Sequence, residues 1–80
     1  MDEPLVTMKE YYFLTEIIAL ADGQHALQIT RKDTYEEAQM VMYQVLASAI
    51  ANPDVIKAVV QISNDFGDVV KVERFGRLIS

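Results

Sequence analysis

Two segments near each end of the chain have the pattern of strands, whereas the segment between them follows a helical period. The segment YYFLTEIIALA (residues 11–21) is rich in aromatic and branched residues, and QHALQIT (24–30), VIKAVVQIS (55–63) and VVKV (69–72) place apolar and polar residues on alternate sides. Alternation with a period of two indicates half-buried strands, and a period near 3.6 indicates an amphipathic helix. The chain is therefore predicted to be α+β, with the order ββαββ, a four-stranded, mainly antiparallel sheet and one helix packed on one face.

An Asp22-Gly23 dipeptide separates the first two strands and favours a two-residue hairpin turn. This turn pairs Ile18 with Leu27 and gives the two strands one apolar face. We predict that this face is the core face: Leu14, Ile18, Leu20, Leu27 and Ile29. The same register places Glu16 opposite Ile29, which predicts either a functional carboxylate or a β-bulge beside it, and the bulge is the favoured interpretation.

The sequence NDFG, residues 64–67, predicts the second hairpin, with a type I turn that ends on a left-handed glycine. This turn pairs Ile62 with Val70 and Val60 with Val72, so that the apolar sets of the two strands coincide. The order of the strands in the sheet stays open, because either the first or the second strand can lie beside this hairpin.

The helix is predicted to begin at two overlapping capping boxes, which start at Asp33 and Thr34, and to end before Pro53. At about 100° per residue, one apolar stripe faces the sheet. It consists of Ala38, Val41, Met42, Val45, Leu46 and Ala49. This stripe accounts for the contribution of the helix to the core.

A second apolar set lies on roughly the opposite side of the helix, and we call it the helix seam: Met40, Tyr43, Ala47 and Ile50. Its spacing of three, four and three residues is that of a short coiled-coil seam. The favoured interpretation is a contact between helices, most simply in a symmetric homodimer. The alternatives are scattered surface residues, which need no explanation, and cover by the chain's own termini.

The side of the sheet away from the helix is a second candidate interface. The alternation places five residues there that would otherwise face solvent: Tyr11, Phe13, Ile17, Val59 and Phe75. Both surfaces predict a homo-oligomer, with a dimer favoured, or association with another protein.

Composition supports association and excludes several classes of partner. The formal net charge is −5, so the summed field repels nucleic acid and anionic membrane surfaces, and neither is predicted as a partner. The chain has 80 residues and no cysteine, so it is a small single domain that disulfides cannot stabilise. Oligomerisation is the common remaining aid for such a chain.

The sequence also predicts the limits of the domain and the cellular location of the protein. Residues 1–7 are predicted to be a loose extension, and residues 8–80 a single domain. No apolar run reaches the 18 or so residues of a membrane span, and MDEPLVT lacks a signal-peptide pattern. These features predict a cytoplasmic protein.

No catalytic residue, cofactor or metal site is predicted, and the chain is expected not to be an enzyme. The lone His25 near Glu16 and Asp22 is the only cluster that could do acid–base chemistry, and a surface histidine is the favoured interpretation. A small-ligand or regulatory module is the alternative function, with a pocket lined by Tyr11, Tyr12 and Phe13.

Three stretches, YYFLTEIIALADG, TYEEAQMVMYQVLASAIAN and VVQISNDFGDVV, resemble small uncharacterised proteins of Gram-positive bacteria and their phages or prophages. The resemblance covers residues 8–75. It carries no activity and no catalytic residue to this chain, and it implies an accessory role in a phage or prophage.

Overall fold

The computed structural model describes residues 10–77. Its elements are β1 (Tyr12–Leu20), β2 (His25–Lys32), α1 (Tyr35–Ala51), β3 (Val55–Asn64) and β4 (Val69–Gly76). The four strands form one antiparallel sheet in the order β2-β1-β3-β4. The predicted α+β class and the ββαββ order are confirmed, and the sheet order is now defined. The extension predicted for residues 1–7 lies outside the described residues.

The helix begins where one of the two predicted capping boxes places it. Thr34 is the N-cap, and its side-chain oxygen accepts a hydrogen bond from the Glu37 backbone N–H at 3.1 Å. The last turn contains no basic residue. Instead, the Arg77 guanidinium donates to the Ile50 carbonyl at 2.8 Å, so a cation from the end of β4 stabilises the negative end of the helix dipole.

The core lies between α1 and the two central strands. Its largest fully buried side chains are Leu14, Met42, Val60 and Ile62. The predicted helix stripe is confirmed, since four of its residues are buried and Val41 and Val45 pack against them. Because α1 packs mainly on β3 and β1, the edge strand β2 receives little cover, and every residue from His25 to Ile29 is exposed.

The predicted register of the first hairpin is wrong by one residue. Residues 21–23 form a three-residue loop, in which the Leu20 N–H donates to the Gln24 carbonyl at 2.8 Å and Gly23 has φ +94°. Ile17 therefore pairs with Leu27, and Thr15 with Ile29. A slip of one residue turns a strand over, so the predicted core residues Leu27 and Ile29 face away from α1.

The second hairpin has the predicted turn but not the predicted register. Gly67 is left-handed with φ +90°, and Ser63 pairs with Val69 as that turn requires. The register then shifts, and Ile62 pairs with Lys71 instead of Val70. The extra residue in β4 is a β-bulge at Val70, which reverses the facing of every later residue in the strand.

Because of this bulge, the predicted facing of two apolar residues of β4 is wrong. Phe75 was predicted on the side away from the helix, but it pairs with Ala58 and packs against the core. Val72 was predicted to pair with Val60, but it pairs with Gln61 and is exposed on the side away from the helix.

Glu16 lies on the helix side of the sheet without a bulge. It pairs with Gln28 on one side and Val60 on the other, within an unbroken ladder from Tyr12 to Ala19. The predicted bulge beside it is therefore wrong. The half-buried Glu16 side chain lines an open groove beside α1, which removes the need to bury a carboxylate.

Candidate protein-interaction surfaces

The side of the sheet opposite α1 presents a continuous apolar surface. We call it the outer sheet face and define its apolar residues as Phe13, Ile17, Leu27, Ile29, Val59, Val69 and Val72. Leu27 is 66% exposed and Ile29 is 61% exposed. Monomeric soluble proteins rarely expose contiguous apolar patches larger than a few hundred Å², so this surface is a candidate interface.

The strand register makes the outer sheet face contiguous. Ile17 pairs directly with Leu27 on one side and with Val59 on the other, and Ile29 lies diagonally beside Ile17. At the other end of β1, the rings of Tyr11 and Phe13 meet edge to face with centroids 5.4 Å apart. The aliphatic centre is therefore flanked by an aromatic pair.

Every charged residue on the outward positions of the described strands is basic. Arg74 pairs with Val59, and Lys57 lies two residue pairs further along, on the same side of the sheet. The two basic side chains line a depression of about 210 Å³. Arg31 lies over the Tyr11 ring at 5.2 Å and 3.6 Å from Asp33, which offsets part of its charge. This basic edge contrasts with the net charge of −5 for the whole chain.

The glutamates of the sheet and of α1 lie on the helix side of the sheet. Glu16 and Glu73 occupy inward strand positions, and Glu36 and Glu37 occupy the first turn of α1. No lysine, arginine or histidine occurs from residue 33 to residue 56. The helix itself is therefore acidic and the outer sheet face is basic and apolar, although Lys32 and Lys71 share the helix side of the sheet with the carboxylates.

The helix seam is exposed as its spacing predicts, but one member has a polar partner. Met40 and Ile50 are each more than half exposed. The Tyr43 hydroxyl donates to a Glu73 carboxylate oxygen at 3.4 Å, and the Lys71 ammonium lies 3.7 Å from that same carboxylate. Tyr43 thus leans over β4, and the freely exposed apolar part of the seam is Met40, Ala47 and Ile50.

Tyr43 also raises the pKa of Lys71 above its ordinary value, first through a side-chain hydrogen bond and then through charge, with Tyr35 and Glu73 adding to the effect. We expect Tyr43→Phe to lower the Lys71 pKa toward its ordinary value, because the substitution removes the hydroxyl. An NMR titration of the Lys71 side chain measures this change. A pKa unaltered by the substitution would show that the hydroxyl does not contact Lys71 in solution.

The other predicted groupings do not converge. His25 lies at an outward position of β2, Glu16 lies on the helix side, and the Asp22 carboxylate accepts a hydrogen bond from the Gln24 N–H in the turn. Tyr12 stacks edge to face with Tyr35 on the helix side, so the three adjacent aromatics do not line one pocket. Within residues 10–77, no three histidines or carboxylates are grouped to hold a metal ion.

A groove lies beside α1. It has a volume of about 350 Å³ and lies between the helix and β1, with Val55 at the start of β3 in its wall. Glu16, Gln44 and Ser48 contribute polar groups to its wall. The sequence did not predict this groove, since it depends on the position of the helix over β1 and β3.

Sequence reasoning missed Leu27, Ile29 and Val72 as members of the outer sheet face. A signal was present, because alternation puts His25 and Arg31 on the same side of β2 as Leu27 and Ile29. A side of an edge strand that begins and ends with polar residues is more often exposed to solvent than buried in the core.

Comparison of the chain with family models, curated proteins and solved structures found no match. Within the described residues, no helix is both long enough and apolar enough to cross a membrane. The functional argument therefore depends on the two surfaces themselves.

Proposed function

We propose that this chain is a small, non-enzymatic interaction module that self-associates, with the outer sheet face as its docking surface. The observation that carries the proposal is the exposure of Leu27 and Ile29 beside Ile17 and Val59 in one contiguous patch. Burial of apolar surface is the main driving force of association. The outer sheet face is favoured over the helix seam because it is wider and because Tyr43 is already engaged with Glu73.

The outer sheet face is large enough for a specific contact. Four strands about 4.8 Å apart, with about eight residues each at about 3.3 Å, give a face of roughly 19 by 26 Å, or about 500 Å² in projection. Interfaces of standard size bury about 800 Å² of accessible surface per partner. Because side-chain relief makes accessible area larger than projected area, the two values are comparable.

The proposal includes a biological setting that rests on the sequence alone. The charge and hydropathy pattern supports a cytoplasmic location, and the resemblance to small proteins of Gram-positive bacteria and their phages supports an accessory role in a phage or prophage.

Ile29→Glu tests the docking surface. We expect it to raise the apparent dissociation constant for self-association at least about tenfold, because a carboxylate would have to be buried in the contact. Sedimentation equilibrium of the variant and of the unmodified chain measures this difference.

The matched control is Gln28→Glu, which adds the same charge at the neighbouring exposed position of β2 but on the helix side. Its association should equal that of the unmodified chain. Equal weakening by both substitutions would mean that net charge, and not the outer sheet face, controls association.

A further inference from the structure

We propose that the chains associate head to tail, with the outer sheet face of one copy docked on the helix seam of the next. This inference rests on the proposed function, because it names what occupies the same docking surface. It also explains why one small chain exposes two apolar surfaces on opposite sides. Each copy supplies one surface to each of two neighbours.

Charge complementarity is the first argument for this arrangement. The outer sheet face has Lys57 and Arg74 at one edge and no carboxylate on an outward strand position. The helix has Glu36 and Glu37 exposed in its first turn and no basic residue along its length, and Lys71, which lies beside Tyr43, is paired with Glu73. Head-to-tail docking brings these opposite charges together, whereas two outer sheet faces stacked on each other would bring like charges together.

Shape is the second argument. Met40 and Ile50 are exposed near the two ends of the seam, and the small side chain of Ala47 between them lets the helix approach another surface closely. The outer sheet face is aliphatic where Ile17 and Leu27 pair. Docking would cover the outer sheet face with a helix of the neighbouring copy and so bury its exposed apolar residues.

The arrangement predicts a particular kind of assembly. A contact between two different surfaces is heterologous, so it either closes into a ring or continues as an open filament, and it does not stop at a two-fold dimer. The mass of the unmodified chain should therefore rise beyond two chains as concentration increases. Salt should weaken the contact, because it screens the attraction between the acidic helix and the basic sheet edge.

Mixing two variants tests the inference. Ile29→Glu disables the outer sheet face with a carboxylate, and Ala47→Arg disables the seam with a long cation at an exposed helix position. Each variant alone should sediment as a single chain where the unmodified protein is associated. An equimolar mixture should form a complex of two chains and no larger species, because one intact seam can dock on one intact sheet face.

The other outcomes overturn the inference in distinguishable ways. If Ala47→Arg alone still forms a dimer, the outer sheet face pairs with itself, which leaves the proposed function standing. Association of Ile29→Glu alone, equal to that of the unmodified chain, removes the outer sheet face and the proposed function together. A mixture that stays monomeric also contradicts head-to-tail docking. Circular dichroism confirms folding, and Leu27→Glu and Met40→Lys replace either variant that fails to fold.

Discussion

Ile62→Ala is expected to cost about 3 kcal/mol of unfolding free energy, because it removes a fully buried side chain and leaves a cavity. A domain of this size has a total stability of only about 4–12 kcal/mol, so a large share would be lost. Ile62 lies on β3 beneath the helix, paired with Leu14 in the centre of the core. Urea unfolding followed by circular dichroism measures the change.

Ile29→Ala is the matched control, since it makes the same chemical change in a strand whose side chain is exposed. In solutions dilute enough for the chain to be monomeric, it should cost less than about 1 kcal/mol. The two-residue turn predicted from Asp22-Gly23 would have placed Ile29 in the core. Equal losses for the two substitutions would therefore contradict the three-residue loop and the register that it sets.

Phe75→Ala is expected to cost about 2–3 kcal/mol, somewhat less than a fully buried phenylalanine, because the ring packs against the core and is half-buried. The Arg77 guanidinium lies 5.0 Å from the centre of the ring, and that contact would be lost as well. The expected loss depends on the bulge at Val70, which turns Phe75 toward α1. The shift in the midpoint of urea unfolding measures this loss of stability.

Val72→Ala provides the comparison within the same strand. Val72 faces away from the helix, so its truncation should cost less than about 1 kcal/mol in the monomer. A strand without the bulge would reverse the two results, with the larger loss at Val72. Comparison of the two losses of stability therefore determines the register of β4.

Much of the fold could be predicted because local signals agree with each other. The helix has an N-cap at Thr34, a stop at Pro53 and one apolar stripe, and each of these depends only on neighbouring residues. The turn at residues 64–67 is equally local, since Gly67 adopts positive φ at no steric cost. These signals defined the elements, their order and the part of the helix that faces the core.

The two registers could not be predicted because each depends on one residue. The sequence around Asp22-Gly23 suits a two-residue or a three-residue loop, and the choice decides which side of β2 is buried. A bulge at Val70 has no strong sequence mark, because Val69, Val70 and Val72 are all suited to either side of a strand. Packing of the whole sheet against α1 selects between such alternatives.

The two errors in strand register also made part of the predicted interface wrong. The helix seam was predicted correctly as an exposed set, since it follows from the helical period alone. On the sheet, Ile17 and Val59 were placed correctly, but Phe75 was included wrongly and Leu27 and Ile29 were assigned to the core. The two-sided distribution of charge emerged only when the register put Lys57 and Arg74 on one face.

Sedimentation equilibrium of the unmodified chain over a wide concentration range, at low and at physiological salt, tests self-association most directly. The account predicts a mass near 9.1 kDa in the most dilute samples that rises with concentration past twice that value, more steeply at low salt. A mass of 9.1 kDa at every concentration and salt level would contradict it.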